Sequence, residues 1–117
     1  MATDIAGGPS LSMFATMRMA YETCQLQGGT LHPACAWYLA TIGSAKAMRL
    51  ESIVGNLMPG MEADITVTDL KSTPLIKQRV AQASNFWDVI FIQIILADDR
   101  ATCATYSGGN CKFNRSK

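Results

Sequence analysis

The sequence predicts a mixed α/β fold that does not close a hydrophobic core by itself. Apolar residues recur at helical spacing from Leu11 to Gln27 and alternate with polar residues from Ala63 to Thr68, which indicates helices combined with strands. The second and fourth predicted helices are apolar nearly all round. Such helices need cover on more than one side, and the chain has too few elements to supply it.

The first half of the chain is predicted to form two helices. After the loop Thr3–Pro9, Ser10 is expected to cap a helix that Gly28 and Gly29 end. Pro33 suits the first turn of a second helix that runs to about Arg49.

A short β region is predicted next. Val54–Leu57 is interpreted as an extended stretch, Pro59 and Gly60 as a turn, and Ala63–Thr68 as a half-buried strand. In that strand Ala63, Ile65 and Val67 are expected to face inward.

The tail is predicted to form two helices and a hairpin. The helices span Pro74–Ala83 and Phe86–Leu96, and the hairpin pairs Thr102–Tyr106 with Cys111–Phe113 around a turn at Ser107–Asn110. Phe86, Trp87 and Trp37 are expected to be core residues.

Composition argues against several partners. The 117 residues include ten basic and nine acidic side chains, scattered along the chain with a net charge of +1, so no basic stripe favours nucleic acid or an anionic membrane. The N-terminal residues carry no export signal, which predicts a cytoplasmic protein. The longest apolar run, Phe86–Ala97, is far shorter than the roughly 20 residues that span a bilayer.

The four cysteines, Cys24, Cys35, Cys103 and Cys111, match neither a CxxC pair nor a zinc ribbon. We expect small buried side chains in a reducing cytosol. A Cys103–Cys111 disulfide across the hairpin is the alternative.

Two adjoining segments carry a family resemblance. GNLMPGMEADITVTDL, from Gly55 to Leu70, resembles the segment of composite-domain amidohydrolases in which the chain leaves a barrel and enters a small β-sandwich. YLATIGSAKAMRL, from Tyr38 to Leu50, resembles the helix before it. Three further segments are similar to the guanine deaminase family: Thr3–Glu22, STPLI at Ser72–Ile76 and ADDRATCATYSGG at Ala97–Gly109.

This resemblance implies the C-terminal end of a (β/α)8 amidohydrolase barrel plus strands of the accessory β-sandwich, incomplete as an isolated chain. Residues 1–50 would end the barrel, with the loop after strand eight and the following helices. Residues 51–70 would form strands of the small β domain, 71–100 the C-terminal helices and 101–117 the C-terminal hairpin. Met1 falls where the eighth strand should finish, so we expect barrel strands upstream.

The activity implied is zinc-dependent hydrolysis of guanine to xanthine and ammonia. Asp4 occupies the position of the catalytic carboxylate after strand eight, where it would ligate or flank zinc and accept a proton from the attacking water. Histidines that this chain lacks would bind most of the zinc, so the chain is expected to be inactive alone. For an isolated Asp in a Gly-rich loop, a turn or capping role is the general expectation.

Other polar residues receive structural interpretations. His32, the sole histidine, is expected at a helix start. Asp98, Asp99 and Arg100 could suggest a carboxylate dyad, but an ion pair or subunit contact is favoured. Asp64 and Asp69 are expected at turns and strand edges.

The sequence departs from the family at three positions, with Met61 in place of Lys, Ala6 in place of Gly and Pro9 in place of a Thr- or Ser-like residue. Two alternatives remain open: part of another amidohydrolase, such as a cytosine or adenosine-type deaminase or a chlorohydrolase, or a non-catalytic module that completes a partner's barrel. The expected partners are guanine and either a second subunit in a homodimer or the missing N-terminal barrel portion.

Overall fold

The computed structural model describes residues 1–8 and 10–115, and it confirms a mixed α/β chain. The helices pack on one another, and three strands form one antiparallel sheet in the order β1-β2-β3. The elements are α1 Met13–Leu26, α2 Pro33–Ala40, α3 Ile42–Ala47, β1 Ile65–Thr68, α4 Pro74–Val80, α5 Phe86–Leu96, a 3-10 turn at Asp99–Ala101, β2 Thr102–Ser107 and β3 Asn110–Asn114.

The first helix begins two residues later than predicted. Ser12, not Ser10, is the N-cap, and its Oγ accepts a hydrogen bond from the amide of Ala15 at 3.4 Å. Ser10 supports the cap instead, because its Oγ accepts from the Ser12 amide at 3.0 Å. At the other end Gly28 has φ +76°, which confirms the predicted glycine stop.

The prediction of one helix from Pro33 to Arg49 is wrong, because the chain breaks at Thr41 into α2 and α3. Thr41 has φ −124° and ψ −110°, and its hydroxyl donates to the carbonyl of Trp37 at 2.8 Å. In a continuous helix the Thr41 amide would donate to that same Trp37 carbonyl. A hydroxyl that bonds to the carbonyl instead is a known cause of bent helices. Gly43 permits the tight junction, since a Cβ there would lie 2.8 Å from the Tyr38 carbonyl oxygen.

The predicted extended stretch Val54–Leu57 is also wrong, because Val54, Gly55 and Asn56 form bends. Gly55 has φ +100°, a left-handed value that no strand accommodates, and its Cα packs against α3, where a Cβ would lie 3.0 Å from the Ile42 Cα. The turn at Pro59 and Gly60 is confirmed, with the Met61 amide donating to the Met58 carbonyl at 3.2 Å.

The strand and the hairpin are confirmed with adjusted ends. β1 spans four residues of the predicted strand, and Val67, expected to face inward, is 43% exposed. In the hairpin, Gly108 and Gly109 adopt φ +54° and +75° between β2 and β3. Both residues therefore use the left-handed backbone that glycine tolerates best.

Helix α5 has the predicted bounds and lies at the centre of the helical packing. Ile90 and Ile94 pack with Met17 of α1 and Ala36 of α2. Ile92 packs on another side of the helix, with Ile76 of α4. α4 is shorter than predicted, because the chain tightens after Val80 into a turn.

The prediction of an incompletely covered core is confirmed. Large apolar side chains remain open to solvent, among them Leu26 at 89% and Leu57 at 76% exposed. Trp37, Phe86 and Trp87 are exposed as well, so their assignment to the core is wrong for this chain. The Trp37 ring lies 6.4 Å from that of Phe14 and the Trp87 ring 5.8 Å from that of His32, and these neighbours cover the two rings only in part. Among the described residues, no helix is long and apolar enough to cross a bilayer.

The cysteine expectations are not met. Cys35 and Cys111 are exposed, Cys24 and Cys103 are half-buried, and all four thiols are free. The strand register explains why the hairpin disulfide does not form. Cys111 lies opposite Tyr106, whereas the Cys103 carbonyl accepts from the amide of Arg115 at 2.8 Å.

Asn85 offers a test of the α5 packing. Its side-chain oxygen accepts hydrogen bonds from the amides of Trp87 and Asp88 at 2.8 and 3.1 Å, and the Asp88 carboxylate accepts one from the Ser84 amide at 2.9 Å. Asn85→Ala is expected to lower the free energy of unfolding by about 1 kcal/mol, measured by urea denaturation. Thr30→Ala, an exposed loop change, should leave it unaltered, and equal losses in both variants would contradict this capping role.

Candidate functional site

Asp4 lies in an exposed, tightly turned loop. Its backbone has φ +50°, and its carbonyl oxygen accepts hydrogen bonds from the amides of Gly7, at 2.9 Å, and Gly8. Asp4 thus stabilises the turn, as expected of an isolated aspartate, but through its backbone carbonyl and not through its carboxylate. Within residues 1–8 and 10–115, no group donates a hydrogen bond to the Asp4 carboxylate, which remains available for a ligand.

Two glycines allow the loop to fold back on Asp4. A Cβ on Gly7 would lie 2.5 Å from Asp4 Oδ2, and one on Gly8 would lie 1.8 Å from the carbonyl oxygen of Thr3. The backbone clash means that the loop requires glycine at position 8, whereas a side chain at position 7 would displace the Asp4 carboxylate. The sequence identified this loop as Gly-rich, and the structure supplies the steric reason.

Ala6 carries backbone strain in the same loop. It has φ +71°, in the left-handed region where an L side chain approaches the following carbonyl. The resemblance to the guanine deaminase family places Gly at this position, and Gly tolerates that value without strain. Pro9, the other departure in the loop, lies outside the described residues.

A metal site is not complete in the described part of the chain. No three His, Cys, Asp or Glu side chains there form a group that could hold a metal ion. His32 is the N-cap of α2, as predicted: its Nδ1 accepts from the Ala34 amide at 3.1 Å, and its ring lies 5.8 Å from that of Trp87. The described residues therefore do not by themselves assemble the three protein ligands that a catalytic zinc ion usually has.

The acidic tail segment forms the predicted ion pair. Arg100 Nη2 donates to Asp98 Oδ2 at 2.6 Å, and the Arg100 amide donates to Asp98 Oδ1 at 3.0 Å. The Arg100 side-chain hydrogen bond is the main cause that holds the pKa of Asp98 below its ordinary 3.8, and Asp98 in turn raises the pKa of Arg100. A carboxylate so engaged does not suit a catalytic dyad.

Asp64 and Asp69 hold the sheet, as expected for turn and strand-edge residues. Asp64 Oδ1 accepts from the Gly108 amide at 2.8 Å, which ties the start of β1 to the hairpin turn. Asp69 accepts from the Lys71 amide at 2.8 Å and pairs with Arg115 at 3.3 Å. The Lys71 amide is the largest cause that lowers the pKa of Asp69, and Arg115 adds to it.

A groove runs between the helices and β1, which sequence reasoning missed. It consists of two adjoining cavities of about 440 and 310 Å³ that share Trp37, Ala40, Thr41 and Thr66. We refer to it as the α2–β1 groove. Thr41, at which the predicted helix breaks, lies in the wall of the groove. The helical periodicity of the sequence did not predict this break.

The Asp98–Arg100 pair predicts an acid dependence of stability. Because the folded-state pKa of Asp98 is depressed, its contribution is present above the ordinary value of 3.8 and is lost as the pH falls through the folded-state pKa. Asp98→Asn is expected to flatten that part of the curve of unfolding free energy against pH, with Asp99→Asn as the control. The effect should be small and weaken in salt, because the pair is exposed. Identical curves for the wild type and Asp98→Asn would rule out the contribution.

Ala6 predicts a local gain in stability. Ala6→Gly is expected to remove the left-handed strain and so to raise the free energy of local opening by at most about 1 kcal/mol. Hydrogen exchange at the Gly7 amide should then slow by up to about fivefold. Ala2→Gly, at an exposed position without a positive φ, should not slow it. Faster exchange in Ala6→Gly would show that the added chain entropy of glycine exceeds the strain.

Known proteins resemble the chain along nearly its whole length. The amidohydrolase family profile matches residues 1–113. The chain is 39% identical to the guanine deaminase of Escherichia coli K12 over 116 residues, which is 99% of this chain and 26% of that protein. It is 37% identical to a probable guanine deaminase of Deinococcus radiodurans over 67 residues, 55% of this chain and 15% of the relative. The chain thus spans about a quarter or less of these relatives.

Solved structures share the fold. E. coli guanine deaminase superimposes with a TM-score of 0.93 over 97% of this chain and 26% of its own, at 39% identity. A guanine deaminase from Bradyrhizobium japonicum gives 0.81 at 22% identity over 97% of this chain and 30% of its own. An adenosine deaminase from Xanthomonas campestris with bound zinc gives 0.72 at 23% identity, over 94% and 24%. Since the family profile covers all but the last few residues, the chain belongs to the amidohydrolase family.

Proposed function

We propose that the chain is the C-terminal part of a guanine deaminase, which hydrolyses guanine to xanthine and ammonia. The observation that carries the proposal is the similarity to E. coli guanine deaminase, with 39% identity and a TM-score of 0.93 along nearly the whole chain. The lower similarity to an adenosine deaminase supports the shared fold and does not favour another substrate.

In this proposal the chain supplies the end of a (β/α)8 barrel and strands of a small β-sandwich. Residues 1–50 contribute the loop that carries Asp4 and the helices after it, 51–70 and 101–117 the strands, and 71–100 the helices between them. The exposed apolar side chains on several elements support an incomplete unit. A cytoplasmic location and a homodimer for the complete enzyme remain expectations from the family resemblance.

Asp4 is the group through which the chain would take part in catalysis. The exposed loop presents a carboxylate that no described group occupies, and the carbonyl bonds to Gly7 and Gly8 fix the backbone from which it projects. A zinc ion, held mainly by histidines of the remaining barrel, would supply a water that ionises near neutral pH. Asp4 would contact that site and accept the water's proton, as a positioned carboxylate can.

The chain by itself is expected to be inactive. Only Asp4 among its described residues is a candidate for the zinc site, and three protein ligands are usual in catalytic zinc sites. The purified 117-residue chain with added zinc should release no ammonia from guanine above the buffer rate. Measurable turnover that copurifies with the chain would contradict the proposal.

Fusion to the rest of an enzyme tests the role of Asp4. In a chimera that joins this chain to the part of E. coli guanine deaminase outside the match, guanine should be deaminated. Asp4→Asn should lower kcat by about 100-fold or more, because it removes the proton acceptor, and should reduce bound zinc measured by atomic absorption. Glu62→Gln, an exposed change, serves as the control. Full activity and zinc content in Asp4→Asn would eliminate Asp4 as the catalytic carboxylate.

A further inference from the structure

Gly7 lies at a position where the backbone itself does not demand glycine. Its φ is outside the left-handed region, whereas Asp4 and Ala6 in the same loop have φ +50° and +71°. An alanine at position 7 would therefore carry no strain from its own backbone angle. The constraint on this position comes from a neighbouring side chain.

The Asp4 carboxyl group occupies the space that a Gly7 side chain would fill. A Cβ on Gly7 would lie 2.5 Å from Asp4 Oδ2, 3.0 Å from Cγ and 3.4 Å from Oδ1, and these are the three nearest heavy atoms outside the adjoining residues. The Gly7 amide donates to the Asp4 carbonyl at 2.9 Å, which holds the two residues together. The carboxylate thus lies against the bare Cα of Gly7.

Steric room decides the direction of this carboxylate. An exposed side chain samples several staggered rotamers, and none of the hydrogen bonds among the described residues involves the Asp4 carboxylate. The observed rotamer is open only while position 7 lacks a Cβ, because a carbon atom 2.5 Å from Oδ2 would force the carboxylate to move.

Gly8 constrains the same loop in a different way. A Cβ there would lie 1.8 Å from the Thr3 carbonyl oxygen, and the Gly8 amide donates to the Asp4 carbonyl. A side chain at position 8 would therefore displace backbone, whereas one at position 7 would displace the end of a rotatable side chain. The effects of substitution at the two adjacent glycines are for this reason separable.

We propose that Gly7 is a positioning residue for the Asp4 carboxylate, because the open space over its Cα admits the rotamer in which Asp4 acts. This inference rests on the proposed function, in which Asp4 accepts a proton from the attacking water. A proton acceptor works within a reach of about 2.6–3.2 Å, and a misplacement of about 1 Å can lower a rate on the order of 100-fold. Gly7 acts on the reaction through Asp4 and does not touch the substrate.

The rotamers of Asp4 in the 117-residue chain test the steric part of the inference. Scalar couplings to the Asp4 β-protons, measured by NMR, report the χ1 populations. Gly7→Ala is expected to change these couplings, because the added methyl group removes the observed rotamer. Gly60→Ala, at a glycine whose Cβ would meet nothing within 4 Å, should leave them unaltered. Unchanged Asp4 couplings in Gly7→Ala would overturn the inference.

The chimera with the unmatched part of E. coli guanine deaminase tests the consequence for catalysis. Gly7→Ala should lower kcat for guanine by about tenfold or more, with KM changed by less than about twofold and Tm unaltered. Gly8→Ala should lower kcat and Tm together, because the backbone must move. An unchanged kcat in Gly7→Ala would overturn the positioning role, and so would a loss of Tm as large as that in Gly8→Ala.

The two measurements separate this inference from the proposed function. Guanine turnover by the chimera, with Gly7→Ala as active as the unsubstituted sequence, would retain the function and reject Gly7 as a positioning residue. Altered Asp4 couplings in Gly7→Ala, together with a folded chimera that does not deaminate guanine, would reject the function and retain the steric control of Asp4 by Gly7.

Discussion

The packing of α5 against three other helices is the interaction on which the rest of the structure depends. Ile90 and Ile94 join α5 to α1 and α2, and Ile92 joins it to α4 on another side. Between these contacts, Gln93 is buried, and its Nε2 donates to the Leu70 carbonyl at 3.2 Å. This bond attaches the segment after β1 to the helical core, so α5 connects both halves of the chain.

The sheet is held mainly by polar contacts rather than by a second apolar layer. Asp64 joins the start of β1 to the hairpin turn, and Asp69 accepts from Arg115 at the other end. Arg115 also donates to the Arg100 carbonyl, next to the Asp98–Arg100 ion pair. These charged side chains therefore connect the strands and the tail of the chain to one another.

Sequence patterns predicted the elements whose stability is local. Phe86–Leu96 was predicted with its observed bounds from a run that is apolar except for Asp88 and Gln93, and the structure adds Asn85 as its N-cap. The hairpin followed from two adjacent glycines. The break at Thr41 was missed, since it depends on a hydroxyl bond to a carbonyl and on contact with Tyr38 that only Gly43 permits. The core assignment of Trp37 failed because its side chain lies in the wall of the open α2–β1 groove, where it is 38% exposed.

By itself, the sequence determined the α/β class and the family resemblance, and through that resemblance it proposed Asp4 as the catalytic carboxylate. These follow from periodicity, turn residues and motifs, which act over a few neighbouring positions. Only the tertiary structure decided that Ala6 is strained, that the Asp4 carboxylate has no partner among the described residues and that a groove separates α2 from β1. Each depends on backbone segments distant in sequence or on exact dihedral angles, and no local pattern encodes how closely such segments approach.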